Sequence, residues 1–372
     1  MKIGILKETR EFENRISVSA ETVKKLVANN HSVFIEAGAG TGSYTSDEEL
    51  IESGAQINSD LSDVDLIFKV NPPNKNELEK IKDNSTIISF FQIKDELENI
   101  QSYVNKKLTV FSMSHIPRTT LAQNMDALSS QSNIAGYKAV VIGADHISKY
   151  MPLLMTAAGT IQPAKVLILG AGVAGLAAIA TAKRLGAQVF AFDVRPVVKE
   201  QVESLGAKFI EVESETDEGV GEGGYAKEVS DEYKRKQSQL IKDTIAKMDL
   251  VITTALIPER PAPILIDKDM VESMKAGSSI IDLAAVNGGN CELTECDKIL
   301  THNGIIIDGR SNFPGTMPKH SSQLYSKNLY NLFNHIYKNE NIDFEDEIVN
   351  GSMLINNGQI HSPALKKFLD KD

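Results

Sequence analysis

Tryptophan is absent from these 372 residues, and cysteine occurs only twice, as Cys291 and Cys296. Two thiols at that spacing supply neither a disulfide framework nor the paired Cys/His set of a zinc site. Both are therefore expected as reduced bystanders, and no metal is expected. Positive charge is also scarce: 39 Lys and Arg face 50 Asp and Glu, for a formal net charge of −11. That balance excludes a general nucleic-acid or anionic-membrane surface and leaves room for a basic protein partner. Long apolar runs are missing too. The opening Met1–Glu8 is too short in apolar residues for a signal peptide and reads as a strand. Val166–Ala182 carries no charge, but its three glycines and the closing Lys183-Arg184 fit a loop and helix of a soluble protein better than a membrane span.

What remains is a globular composition, 42% hydrophobic and 24% charged, long enough for two domains. Short strand-like runs alternate with helical stretches, the rhythm of an α/β fold with parallel sheets. Strands are expected at Lys2–Leu6, Ser32–Glu36, Leu66–Val70, Thr86–Phe91 and Leu108–Ser112, with a helix at Ala20–Ala28. Ser46 and Glu49 have capping-box spacing and open another helix. From Ser114 to Asn133 the pattern breaks into a polar loop, and a connecting helix is expected from Ile134 to Ala158. Further strands follow at Val166–Leu169, Gln188–Asp193, Asp249–Thr254, Ser279–Leu283 and Gly304–Asp308, and a helix at Gln323–Tyr337.

The sharpest local signal is Val166-Leu-Ile-Leu-Gly170-Ala-Gly172-Val-Ala-Gly175. Gly170 permits a tight turn, Gly172 lets backbone approach a pyrophosphate, and Gly175 lets helix pack on strand. The helix start offers unpaired N–H groups and a positive dipole end. Alone the motif is weak, but a strand precedes it, a helix follows, and Asp193 ends the next strand about 20 residues on. Asp193 would accept from the adenosine ribose hydroxyls and repel a 2′-phosphate, which favours NAD. Arg195 pulls the other way, because a nearby arginine can accommodate that phosphate.

A second constellation runs from Pro117 to Asn133. Arg118 suits a pyrophosphate oxygen or an amide carbonyl, and Gln123 offers the donor and acceptor that match a carboxamide. On the residues alone, a structural polar turn and a ligand site are both open. The stretch Glu211–Gly224 holds six acidic residues and reads either as a solvated loop or as a lid.

Taken together, these motifs resemble domain I, the NAD(H)-binding component, of proton-translocating NAD(P) transhydrogenase. The resemblance runs along the whole chain. It rests on Arg118, Gln123 and Asp126 with the following Leu-Ser-Ser-Gln-Ser-Asn, on Gly170–Gly175, and on Asp193-Val-Arg195. Glu222–Glu228, Thr253–Glu259 and Ile281–Cys291 match as well. It implies two Rossmann-like parallel-sheet domains with a cleft between them: 1–130 plus 317–372 as the N-terminal, alanine dehydrogenase/transhydrogenase-like domain, and 131–316 as the NAD(H)-binding Rossmann domain.

The resemblance further implies direct hydride transfer between NAD(H) bound here and NADP(H) on a partner domain III, coupled to proton passage through a membrane-embedded domain II. A homodimer is implied, cytoplasmic and peripheral on the inner membrane through its partners. The catalytic loop would be Arg118, Gln123, Asp126 and Ser129. Cofactor contacts would come from these, with Asn124 and Met125, from Gly170, Gly172, Val173, Ala174 and Gly175, and from Asp193, Val194 and Arg195. Gly224 and Tyr225 of a mobile loop, and Ala255 and Leu256, complete the set. Since no membrane helix precedes Asp372, the chain is expected to be a separate soluble subunit. Leu121 stands where some members carry a second arginine, and Val286 where a polar residue is expected.

The main rival is alanine dehydrogenase, a close relative with the same architecture. Arg15 and Lys69 lie where that family binds substrate. Its catalytic histidine should fall where Gln92 stands and its aspartate near Val286, and neither residue can move a proton as amino-acid oxidation requires. A non-catalytic NAD sensor is the second alternative. His115 and His146 are expected to be structural, and Met125, Met151 and Met155 to line the core.

Overall fold

The computed structural model describes residues 1–58, 60–212, 230–256, 260–338 and 342–370. It divides into two units, Met1–Gln131 with Pro314–Asp372, and Ser132–Phe313. In the first unit, β1 (Lys2–Ile5), β2 (Ser32–Ile35), β3 (Gln56–Ile57), β4 (Leu66–Phe68), β5 (Thr86–Ser89) and β6 (Thr109–Ser112) pair in parallel. Their centres are almost wholly apolar because helices cover both faces of such a sheet. The helix Ala20–Ala28 begins where Ser19 Oγ accepts from Thr22 N at 3.3 Å, and it buries Val23 and Leu26. These pack with Ile3, Ile5 and Phe68 against Tyr325, Leu329 and Phe333 of the helix Pro318–Ile336.

In the chain between the two sheets the structure departs from expectation. The long helix spans Ala127–His146, not Ile134–Ala158, so Ser129–Asn133 form its first turns rather than a loop. The physical reason is a cap: the Asp126 carboxylate accepts from Ser129 N at 2.9 Å and from Ser129 Oγ at 2.6 Å. It thereby satisfies donors that a helix start otherwise leaves orphaned. At the other end, Pro152 disfavours helix in the residue before it. The chain then forms an antiparallel hairpin of β7 (Leu154–Thr156) and β8 (Gly159–Ile161), turned at Gly159 with φ 131°. Strands of three residues are too short to show an alternation in the sequence. The same segment corrects one side-chain expectation: Met125 and Met151 are buried, but Met155 is 72% exposed on the hairpin.

The second unit holds β9 (Lys165–Leu169), β10 (Gln188–Phe192), β11 (Lys208–Ile210), β12 (Leu250–Thr253), β13 (Ser279–Asp282), β14 (Ile299–His302) and β15 (Ile305–Asp308). They lie in the order β11-β10-β9-β12-β13-β15-β14, parallel except for β14 against β15. From β9 the chain winds outward through β10 to β11, then returns to start again at β12 on the other side. Strand order therefore reverses at β9, and ligands of open α/β sheets bind beyond the carboxyl end of such a strand. Gly170 is the first residue past it.

The last two strands, β16 (Met353–Asn356) and β17 (Gln359–Ile360), complete the first sheet, in the order β17-β16-β6-β5-β4-β1-β2-β3. Both run antiparallel to their neighbours β6 and β16. Among the described residues no helix is long and apolar enough to cross a membrane.

Candidate nucleotide site

At the carboxyl end of β9 the chain turns through Gly170, whose φ of 101° is one that side-chain-bearing residues rarely adopt. A Cβ there would also lie 2.5 Å from Thr254 Oγ1. Gly175 is confined differently: a Cβ on it would sit 1.9 Å from the Gly170 carbonyl oxygen, so only glycine lets the helix Val173–Arg184 start this close to the strand. At Gly172 an added Cβ would meet nothing within 4 Å. That glycine faces open space at the helix start, and no side chain caps it. The arrangement presents backbone N–H groups and a positive dipole end to an anion, the chemistry that holds a pyrophosphate. Val173 and Ala174 form the first turn beside it.

Asp193 follows β10 and is buried at 7% exposure. Its Oδ2 accepts from Ala171 N at 2.7 Å, which ties the glycine turn to the neighbouring strand end. Arg195 grips the same carboxylate: Nε lies 2.9 Å from Oδ1 and Nη2 2.8 Å from Oδ2, and the Arg195 backbone N donates to Oδ1 at 2.9 Å. This pairing raises the guanidinium above its already high value. Val194 between them packs against the apolar core.

The other wall of the turn comes from the ends of β12 and β13. Thr254 Oγ1 donates to Gly170 O at 3.0 Å. Asn290, fully buried, accepts from Ala255 N at 3.0 Å and donates to Ala255 O and Pro263 O at 2.8 Å each. Beneath it Asp282, also fully buried, accepts from Thr253 Oγ1, Ala284 N, Asn290 N, Cys291 N and Thr294 Oγ1 at 2.7–3.0 Å. Ala255 and Leu256 thus stand on a polar framework anchored in β13. Sequence reasoning does not single out Asp282 or Asn290. Their only trace is that both lie inside the run Ile281–Cys291.

In the first unit, Gln123 and Arg118 are exposed on the segment that leads into the helix Ala127–His146. Asn124 O accepts from Asn328 Nδ2 and Asn331 Nδ2 at 2.9 Å each, and Met125 is buried in the core. Asp126 and Ser129 are spent on each other in the helix cap described above. Gly224 and Tyr225, expected at a mobile loop, lie outside the described residues.

The two histidines are anchored: His115 Nδ1 is 2.8 Å from Ser112 Oγ, and His146 Nε2 is 3.0 Å from Asp308 Oδ2. Cys291 is buried, with its thiol pushed up to about 11 by desolvation, and Cys296 is exposed; both are free. Gln92 is half-buried at the start of a short helix, and Val286 is 45% exposed on a turn.

Arg15 and Lys69 are held by the protein's own carboxylates. Arg15 forks onto Glu13 with contacts of 2.8 and 2.6 Å and donates to Gln131 Oε1 at 2.9 Å. Lys69 Nζ donates to Glu77 Oε1 and Lys7 O at 3.0 Å each. Desolvation raises Glu13, but Coulombic attraction and hydrogen bonds from Arg15 outweigh it and hold the carboxyl at about 2. Burial pushes the nearby Glu8 up.

A reversal of strand order that ends in an uncapped glycine turn, with an aspartate closing the next strand, defines a Rossmann-type nucleotide-binding protein. Comparison with known proteins narrows the class. The chain belongs to the alanine dehydrogenase/PNT family: the family's N-terminal domain matches residues 4–135 and its C-terminal domain residues 139–363. It is 45% identical over 379 aligned positions to the first portion of the NAD(P) transhydrogenase subunit alpha of Rhodospirillum rubrum, covering 98% of this chain and 99% of that one. A solved structure of transhydrogenase from Sinorhizobium meliloti superposes with a TM-score of 0.88 at 42% identity, over 97% of this chain and 100% of that chain. Alanine dehydrogenase 2 of Staphylococcus aureus is 32% identical over 336 positions, 87% of this chain and 83% of that protein. The family is one of NAD(P)-dependent oxidoreductases, and this chain is more similar to the transhydrogenase alpha subunit than to that alanine dehydrogenase. The name of the R. rubrum relative, one portion of one subunit, implies further subunits for that protein.

Proposed function

We propose that this chain binds NAD(H) and exchanges a hydride directly with NADP(H) carried by a partner protein. The observation that carries the reading is the Gly170–Gly175 turn, with open space at Gly172, an uncapped helix start and Asp193 tied to Ala171 N. The pyrophosphate would lie on the turn and the adenosine ribose at Asp193, with Val194, Ala255 and Leu256 alongside. The nicotinamide end is assigned to Arg118, Gln123, Asp126 and Ser129, with Asn124 and Met125 shaping that turn. Hydride passage between two nicotinamides needs no general acid or base. It needs two ring carbons about 3–3.5 Å apart in a site that excludes water.

Gln92 and Val286, where an amino-acid dehydrogenase needs titratable groups, cannot transfer protons, which disfavours substrate oxidation by this chain alone. By the same reading the chain forms a homodimer and works with an NADP(H)-binding domain III and a membrane-embedded, proton-conducting domain II on the cytoplasmic face of the inner membrane.

The test is stopped-flow hydride transfer with a heterologous NADP(H)-binding partner and an NADH analogue as donor. Transfer only when both proteins are present supports the reading. NADH binding without any transfer would leave a nucleotide sensor, and reduction of NAD by alanine with no partner would make the chain an amino-acid dehydrogenase.

A further inference from the structure

The carboxylate assigned to the ribose already has a tenant. A carboxylate offers about four lone-pair positions, and Asp193 has four donors on it: Ala171 N, Arg195 N, Arg195 Nε and Arg195 Nη2. The two backbone donors are fixed by the glycine turn and by the chain direction after β10. The two guanidinium donors are on a side chain that can move, and they lie in the forked, charge-assisted geometry that makes such pairs strong. A ribose diol needs acceptor positions on this same group.

We propose that Arg195 is a built-in competitor of the adenosine ribose for Asp193, and that it thereby lowers both the affinity for NAD(H) and the discrimination against a 2′-phosphate. The inference rests on the assignment of NAD(H) to the Gly170–Gly175 turn. NAD(H) binds only the fraction of molecules in which the guanidinium has left the carboxylate, so its apparent dissociation constant is the intrinsic one divided by that fraction. An open fraction of about one in ten weakens apparent binding about tenfold. The pair has an opposite consequence for a 2′-phosphorylated nucleotide. While Arg195 neutralises Asp193, the phosphate meets little repulsion, and the displaced guanidinium is at hand to pair with it. Arg195 therefore works against NAD(H) and in favour of NADP(H) at one place.

Arg195→Met keeps most of the side-chain volume and removes the fork; Arg195→Lys keeps the charge and loses the bidentate geometry. Equilibrium titrations following NADH and NADPH fluorescence, helped by the absence of tryptophan, give both dissociation constants, and stopped-flow mixing gives the NADH on-rate. Arg195→Met is expected to bind NADH about five- to twentyfold more tightly, through a faster on-rate, and to bind NADPH more weakly. Arg195→Lys should fall between it and the parent, and carries the test alone if the methionine variant does not fold. A merely structural arginine would shift both nucleotides in the same direction. Unchanged or weaker NADH binding in both variants, with the parent binding NADH normally, overturns the competitor role and leaves the site assignment standing. Failure of the parent to bind NADH overturns the site assignment and the inference with it.

Discussion

The side-chain amide of Asn290 closes a two-way hydrogen bond with the backbone of Ala255, accepting from its N at 3.0 Å and donating to its O at 2.8 Å, across 35 positions of sequence. Asn290 in turn is held by Asp282 Oδ2, which accepts from its backbone N at 2.7 Å. One buried amide therefore fixes the segment after β12 relative to the glycine turn. Asn290→Ala leaves Ala255 N and O and Pro263 O without this partner, at a cost of about 1–3 kcal/mol of stability. Apparent NADH affinity should fall about tenfold, because the segment no longer has one position. Calorimetric titration beside a urea melt checks both, and an unchanged affinity in a folded variant refutes the link.

Gly175→Ala forces a methyl to within 1.9 Å of the Gly170 carbonyl oxygen. The helix must retreat from the strand, which costs at least about 1–3 kcal/mol for overpacking and displaces the N–H groups at the turn. Loss of measurable NADH binding and a lower melting temperature are expected. Gly172→Ala meets no protein atom within 4 Å and should melt like the parent while still losing affinity, since its methyl intrudes only on the ligand. If both variants bind as the parent does, the turn is not the pyrophosphate site.

Glu13 supplies a pH dependence. Its folded pKa of about 2 lies below the ordinary 4.5 because the Arg15 guanidinium outweighs burial. A depressed carboxyl stabilises the fold at pH above 4.5, and the contribution disappears as pH falls from about 4.5 towards 2. With one pKa unit worth about 1.4 kcal/mol, it is on the order of 3 kcal/mol. Glu8 is pushed the other way by burial, so its contribution favours the fold at low pH and is lost as pH rises; it is common to the parent and to Glu13→Gln. Urea midpoints at pH 5 and pH 3 should differ less in Glu13→Gln than in the parent. Equal differences would show that the Arg15 pair does not set acid stability.

Gln123→Ala tests the assignment of the nicotinamide end. The side chain is exposed, so the fold should be indifferent to its loss. Hydride transfer to a partner-bound NADP(H) should slow by at least about tenfold, the scale of a lost positioning contact, with NADH affinity nearly unchanged. A large affinity loss with an intact transfer rate contradicts the role.

Where local sterics dictate structure, the sequence is readable. Most strands of both sheets show as apolar runs, though β3, β11, β14, β16 and β17 are not among those expected. The helix Ala20–Ala28 falls where its periodicity puts it, with Ser19 seen as its cap only in the structure. The glycine turn is legible because Gly170 answers a local backbone angle and Gly175 a contact with the Gly170 carbonyl a few residues back. The helix Ala127–His146 is hidden at its start, because its polar first turn looks like a loop until Asp126 is seen capping Ser129. The hairpin β7–β8 escapes detection because three-residue strands carry no period.

By itself the sequence determined the parallel α/β rhythm, the glycine turn after β9 and the aspartate that closes β10, since backbone conformation and side-chain alternation depend on near neighbours. Only the tertiary structure decided what the polar groups hold. Both oxygens of Asp193 are taken by Arg195, Asn290 spans to Ala255, and Arg15 meets Glu13 and Gln131. A buried hydrogen-bonding group must find a partner, but which one it finds depends on how strands distant in sequence come to lie side by side.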